Sequence, residues 1–193
     1  MTTHTKDLQK FLNANGSKLE EDGIFGAETS AAINELDAPY WVKVGLKEVS
    51  TLAATGCGSN PRIDYYHQIA GLQWAKDHVP WCGSAMAYVF NKALNQMPKN
   101  PARALSWSHF GVDIDSPIVG CVAVKHRDGG GHCGIVLAVR GAYLLLLGGN
   151  QTDAFNIKRY RVSSFDWFRY PKGQSMNTYS LAFVDTGINT KEA

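Results

Sequence analysis

No hydrophobic run in this sequence is long enough to cross a bilayer. The longest unbroken apolar stretch, Ala142 to Leu147, falls far short of the roughly 20 residues that a membrane helix needs, so no membrane insertion is expected. The start, Met1-Thr2-Thr3-His4-Thr5-Lys6-Asp7, lacks the charged-then-apolar pattern of a secretory leader. A chain with no signal peptide, made in the cytoplasm, is the expectation. Net charge is small as well: 19 Lys and Arg against 17 Asp and Glu give +2, with none of the dense basic stripes that nucleic-acid binders carry. No nucleic-acid partner is expected. Cysteines are few, only Cys57, Cys82, Cys121 and Cys133, with neither a CxxC pair nor a secreted-style framework, so they read as reduced thiols.

What is present suits a globular protein. The 193 residues, 45% hydrophobic, suffice for one domain or for a medium domain with a small one beside it. The most informative stretch is Val79-Pro80-Trp81-Cys82 and the run from Gly83 to Gln96. Its apolar residues Cys82, Ala85, Met86, Val89, Phe90, Ala93 and Leu94 follow the spacing of one helix face. Pro80 stops any earlier helix and leaves Trp81-Cys82 in the first turn. Unpaired backbone N–H groups and the positive end of the helix dipole favour an anion there, and a thiolate is the nucleophilic form of cysteine. Cys82 is therefore a candidate nucleophile, provided that a histidine faces it.

Before that helix, Thr5 is expected to cap a helix carrying Leu8, Phe11 and Leu12, closed by Asn15-Gly16. A glycine-flanked turn, Asp22-Gly23-Ile24-Phe25-Gly26, leads to a second helix from about Glu28 with Ala31, Ala32 and Leu36 on one side. Asp37-Ala38-Pro39 breaks the pattern and marks a boundary between residues 1–38 and residues 39–193. Short helices are then expected over Tyr40 to Val49, Ile63 to Ala70 and Ala102 to Phe110. After Pro117 the period changes. Val119 to Lys125, His132 to Arg140, Tyr143 to Gly148 and Asn156 to Val162 read as strands separated by Gly-rich turns. Helices first and a meander afterwards indicate an α+β fold with helices packed on an antiparallel sheet.

Among the histidines, His132 is the best base. It opens a strand directly after Gly129-Gly130-Gly131, which lets the backbone approach another element closely. Strand alternation puts His132, Gly134, Val136 and Ala138 on one face and Cys133, Ile135, Leu137 and Val139 on the other, with Gly134 leaving room beside the ring. A zinc site from His126, His132 and a neighbouring cysteine is disfavoured by the same alternation, and no metal or other cofactor is expected. The base needs an orienting partner. A two-residue turn at Gly141-Ala142 would place Gln151 opposite His132, and a three-residue loop would place Asn150 there. Either brings an amide to the imidazole, and the turn chemistry leaves both registers open.

Two resemblances follow from these residues. Leu8-Gln9-Lys10-Phe11-Leu12-Asn13, Glu21-Asp22-Gly23-Ile24-Phe25-Gly26 and Thr29 resemble the small helical peptidoglycan-binding domain found beside bacterial and phage wall hydrolases. Leu46-Lys47-Glu48-Val49, Ser59-Asn60-Pro61-Arg62-Ile63, Tyr65-Tyr66, Val79-Pro80-Trp81-Cys82, Ala102-Arg103-Ala104-Leu105-Ser106-Trp107, Gly131-His132-Cys133-Gly134 and Leu147-Gly148-Gly149-Asn150-Gln151 occur in an order similar to that of the CHAP-type cysteine amidases and peptidases of papain-like fold. The second resemblance spans about residues 40–170. It implies Cys82 as nucleophile, His132 as general base and acid, and Asn150 as the orienting residue, with Trp81 and Gln151 as candidate substrate contacts. It departs from that family at Cys121, where an aspartate is usual, and at Cys133, where an aliphatic is usual. Cys121 and Cys133 read as bystanders open to oxidation.

The implied function is that of a phage endolysin. Such an enzyme cleaves an amide bond of the peptidoglycan stem or cross-link, acts as a monomer, and reaches the wall after membrane permeabilisation. The competing expectations are a non-catalytic wall-binding or virion structural protein and a secreted antibacterial toxin with the same site.

Overall fold

In the computed structural model, which describes residues 2–185, helices precede strands. The helices are α1 (Thr3–Ala14), α2 (Ala27–Glu35), α3 (Tyr40–Leu46), α4 (Pro61–Ile69) and α5 (Cys82–Leu94). A 3-10 turn, Ala104–His109, leads to β1 (Val112–Asp113), β2 (Val122–Arg127), β3 (Gly130–Arg140), β4 (Tyr143–Gly148), β5 (Asn156–Arg161) and β6 (Trp167–Tyr170). All strand pairs are antiparallel, in the order β1-β6-β2-β3-β4-β5. The fold is α+β, as the change of period after Pro117 predicts. The short strands β1 and β6 escape a reading by alternation because two to four residues carry too little of it.

One side of the sheet carries helices. Gly45 of α3 sits so close to it that a Cβ there would lie 2.9 Å from Leu147 Cδ2 and 3.6 Å from Ile135 Cδ1. The other side carries a row of aromatic rings. Tyr160 of β5 meets Phe165 at 5.6 Å between ring centroids, and Phe165 meets Phe168 of β6 at 6.3 Å, so strands distant in the sheet order close around one face. Strand β3 is buried along most of its length for this reason.

The N-terminal segment does not cap where the sequence suggests. Thr2, not Thr5, is the N-cap of α1, its hydroxyl accepting from Thr5 N at 3.1 Å. Thr5 lies inside the helix, buried, with its hydroxyl 2.7 Å from Ser50 Oγ. Only Gly16 of Asn15-Gly16 takes a left-handed backbone, φ 100°. The core is continuous across the Asp37-Ala38-Pro39 break: Leu8, Phe11, Leu12 and Ile33 belong to the same buried cluster as Trp41, Phe90 and Leu147.

Candidate active site

Cys82 is the first residue of α5, and Trp81 is its N-cap without a side-chain cap bond. The first intrahelical bond runs from Ala85 N to Trp81 O, 2.8 Å. The amides of Cys82, Gly83 and Ser84 therefore have no acceptor within the helix, and they aim their N–H groups past its end. Two glycines bring this turn against its neighbours. A Cβ on Gly83 would lie 2.3 Å from Ala102 O, and one on Gly149 would lie 2.5 Å from Trp81 Cζ3 and 2.6 Å from Ala85 Cβ. The loop after β4 thus rests directly on the helix start.

Strand β3 supplies the facing groups. Cys82 Sγ lies 3.9 Å from Gly131 O, and Cys133 and His132 are the neighbouring side chains that act most strongly on the thiol. Cys133 shares the helix-covered face with Ile135 by strand alternation. Its thiol is the largest influence lowering the Cys82 pKa well below the ordinary thiol value; His132 and the more remote charge of Arg127 pull the same way, and burial opposes them. Cys133 itself is pushed far up by burial and by donating to the Cys82 sulfur. It therefore stays protonated while Cys82 ionises. Cys121, buried away from such partners, is pushed up to about 12 by burial alone, which makes it an inert core thiol.

The far side of His132 meets Gln151. His132 Nε2 donates to Gln151 Oε1 at 3.4 Å. The orientation of the amide is fixed by its other end: Gln151 Nε2 donates to Asn156 O at 2.8 Å, Asn156 Oδ1 at 3.0 Å and Gly148 O at 3.2 Å. An acceptor at Nε2 keeps the proton on that nitrogen and so sets the tautomer of the ring.

The amide that meets His132 is therefore that of Gln151, in place of the expected Asn150. The Gly141-Ala142 turn does have two residues, pairing Arg140 with Tyr143, but a bulge at Leu137 shifts the register so that Val136 pairs with Leu146. Continued, that register would put Asn150 across from His132. Strand β4 stops at Gly148 instead, and Asn150, Thr152 and Asp153 take left-handed backbones with φ of 58°, 60° and 56°. This coil turns the Gln151 side chain inward, where it is fully buried and engaged with His132 and Asn156.

Trp81 is also displaced from its expected role. It is 0% exposed and packs against Tyr66 at 6.2 Å, so its side chain belongs to the core rather than to a surface open to a ligand. The space at Gly134 is taken by the neighbouring strand, because a Cβ there would meet Leu146 Cγ at 2.7 Å. Among the described residues no three His, Cys, Asp or Glu side chains are grouped to hold a metal ion. The contribution of Cys133 was missed in the sequence, although the alternation that places it on the helix-covered face was its signal. All four cysteines are free thiols, and among the described residues no helix is long and apolar enough to cross a membrane.

Comparison with protein-family models, with curated proteins and with solved structures returns no match to this chain.

Proposed function

We propose that this protein hydrolyses an amide bond in the peptide part of bacterial peptidoglycan, by the cysteine chemistry of the CHAP-type, papain-like enzymes that its motifs resemble. The observation that carries the reading is the placement of Cys82 at an uncapped helix start, its acidity raised, beside an imidazole whose far nitrogen is held by a buried amide. The motif order around Cys82, His132 and Gly148-Gly149 adds the substrate class, and the α+β fold is compatible with it.

In this mechanism the Cys82 thiolate attacks the amide carbonyl carbon and forms a C–S bond, and the carbonyl oxygen takes the electron pair as an oxyanion. The Cys82 N–H at the helix start lies where such a charge develops, and preorganised donors of this kind are among the largest contributors to catalysis. His132, protonated at Nδ1 by the thiol proton, gives that proton to the leaving amine as the C–N bond breaks. It then takes a proton from water, the resulting hydroxide adds to the thioester, and the thiolate departs. Gln151 keeps the ring in one tautomer throughout by accepting from Nε2. Residues 1–38 supply a further contact with the wall polymer in this reading.

The test is mass spectrometry of the soluble products released from purified peptidoglycan by the wild-type protein and by Cys82→Ala, with and without EDTA. Fragments with new amine ends from the wild type alone, unaffected by EDTA, are expected, and their masses name the bond. Equal release by Cys82→Ala would remove Cys82 as nucleophile. Wall binding without release by either protein would favour the non-catalytic reading.

A further inference from the structure

The segment that follows α5 borders the reacting pair and continues into an open groove. Ala102 O presses on Gly83, next to Cys82, and Leu105 covers Gly131, where a Cβ would lie 2.6 Å from Leu105 Cδ2. Leu105 is also one wall of a groove of about 360 Å³, shared with Arg103, Ser106, His109, His126 and Trp167. That volume lies within the ~300–1,000 Å³ of small-ligand clefts. The rings of His126 and Trp167 meet at 4.9 Å and give it an aromatic side.

Its charge is one-sided. No aspartate or glutamate lines it, and Asp166 nearby is already used by His126, whose backbone N–H donates to it at 2.8 Å and whose Nδ1 lies 3.3 Å away. Arg103 is exposed, and among the described residues its guanidinium has neither an ion-pair partner nor a hydrogen bond. A free guanidinium fork at the rim of an aromatic-sided groove matches a carboxylate, which it can hold through two parallel N–H bonds.

We propose that this groove is a substrate subsite in which Arg103 reads a free carboxylate on the peptide beside the amide that Cys82 attacks. The proposal rests on the function given above and adds the chemical feature that the substrate presents there. Peptidoglycan stem peptides carry such carboxylates, and their conversion to carboxamides removes the charge while keeping the shape.

The experiment compares soluble disaccharide-peptide fragments that differ only in free against amidated stem carboxylates. Wild type and Arg103→Gln are assayed for kcat and KM on both, with circular dichroism to verify the fold. The wild type is expected to prefer the free acid through KM, and Arg103→Gln to lower that preference about fivefold, the scale of one partly exposed ion pair. Hydrolysis with the same preference in both proteins would overturn the subsite while leaving the function standing. If the wild type cleaves neither fragment, the function falls and the subsite is decided by calorimetric binding to Cys82→Ala with and without Arg103→Gln. Binding of the free acid weakened by Arg103→Gln supports it, and unchanged or absent binding overturns it.

Discussion

An imidazole with one nitrogen committed to a fixed partner presents the other in a set tautomer and direction. In this protein the commitment is made by Gln151, whose own amide is pinned by Asn156 and Gly148. Gln151→Leu removes the acceptor at His132 Nε2, and kcat for peptidoglycan fragments is expected to fall on the order of 100-fold. Asn150→Gly, which suits the left-handed backbone there, is expected to stay within about twofold of wild type in the same assay. A reversed ranking of the two variants would return the orienting role to Asn150. Cys133 acts on the other partner, since its S–H stabilises the Cys82 anion. A depressed pKa means that the reactive anion persists below the ordinary thiol range, and loss of the donor moves the titration upward. The pH profile of iodoacetamide alkylation at Cys82 is therefore expected to shift to higher pH in Cys133→Ala. That Cys82 opens a helix and that His132 comes close enough to act on its thiol were legible in the helix periodicity and the Gly-rich strand start. The choice between two adjacent amides was not, because it depends on where β4 stops.

Elements bring these residues together through contacts that only glycine permits. The loop after β4 lies on the first turn of α5 because Gly149 has no side chain, and the segment after α5 lies on Gly83 for the same reason. Gly149→Ala places a methyl group within 2.6 Å of both Trp81 and Ala85, so the loop that carries Gln151 must move away from the helix that carries Cys82. Overpacking of this kind costs about 1–3 kcal/mol. The measurable outcome is a lower midpoint in urea together with a loss of kcat larger than the stability change explains, since most molecules remain folded in native buffer. Helix α5 and the meander were legible because their apolar periods run long. The bulge at Leu137 was hidden, since both residues around it, Val136 and Ala138, are buried whichever face they take.

At the scale of the whole molecule, the first two helices form part of the main core. The boundary read at Asp37-Ala38-Pro39 is a real break between helices, but buried side chains cross it, and local sequence signals carry no information about what packs behind a turn. The hydroxyls of Thr2 and Thr5 meet Ser50 at 2.7 Å. Asn15 Oδ1 accepts from Ala182 N at 2.8 Å, so α1 is tied to both ends of the larger unit. Leu8 of α1 is fully buried in the shared cluster. Leu8→Ala removes buried methyl groups at a cost of about 2–5 kcal/mol, and for a chain of this size each kcal/mol lowers Tm by roughly 2–4 °C. If the core is one cooperative unit, calorimetry of wild type shows a single transition, and Leu8→Ala lowers that transition as a whole by roughly 5–15 °C. Two transitions, of which the variant moves only one, would instead make residues 1–38 an independently folding attachment. The same result would uncouple residues 1–38 from the geometry of Cys82 and His132, which the shared core otherwise ties together.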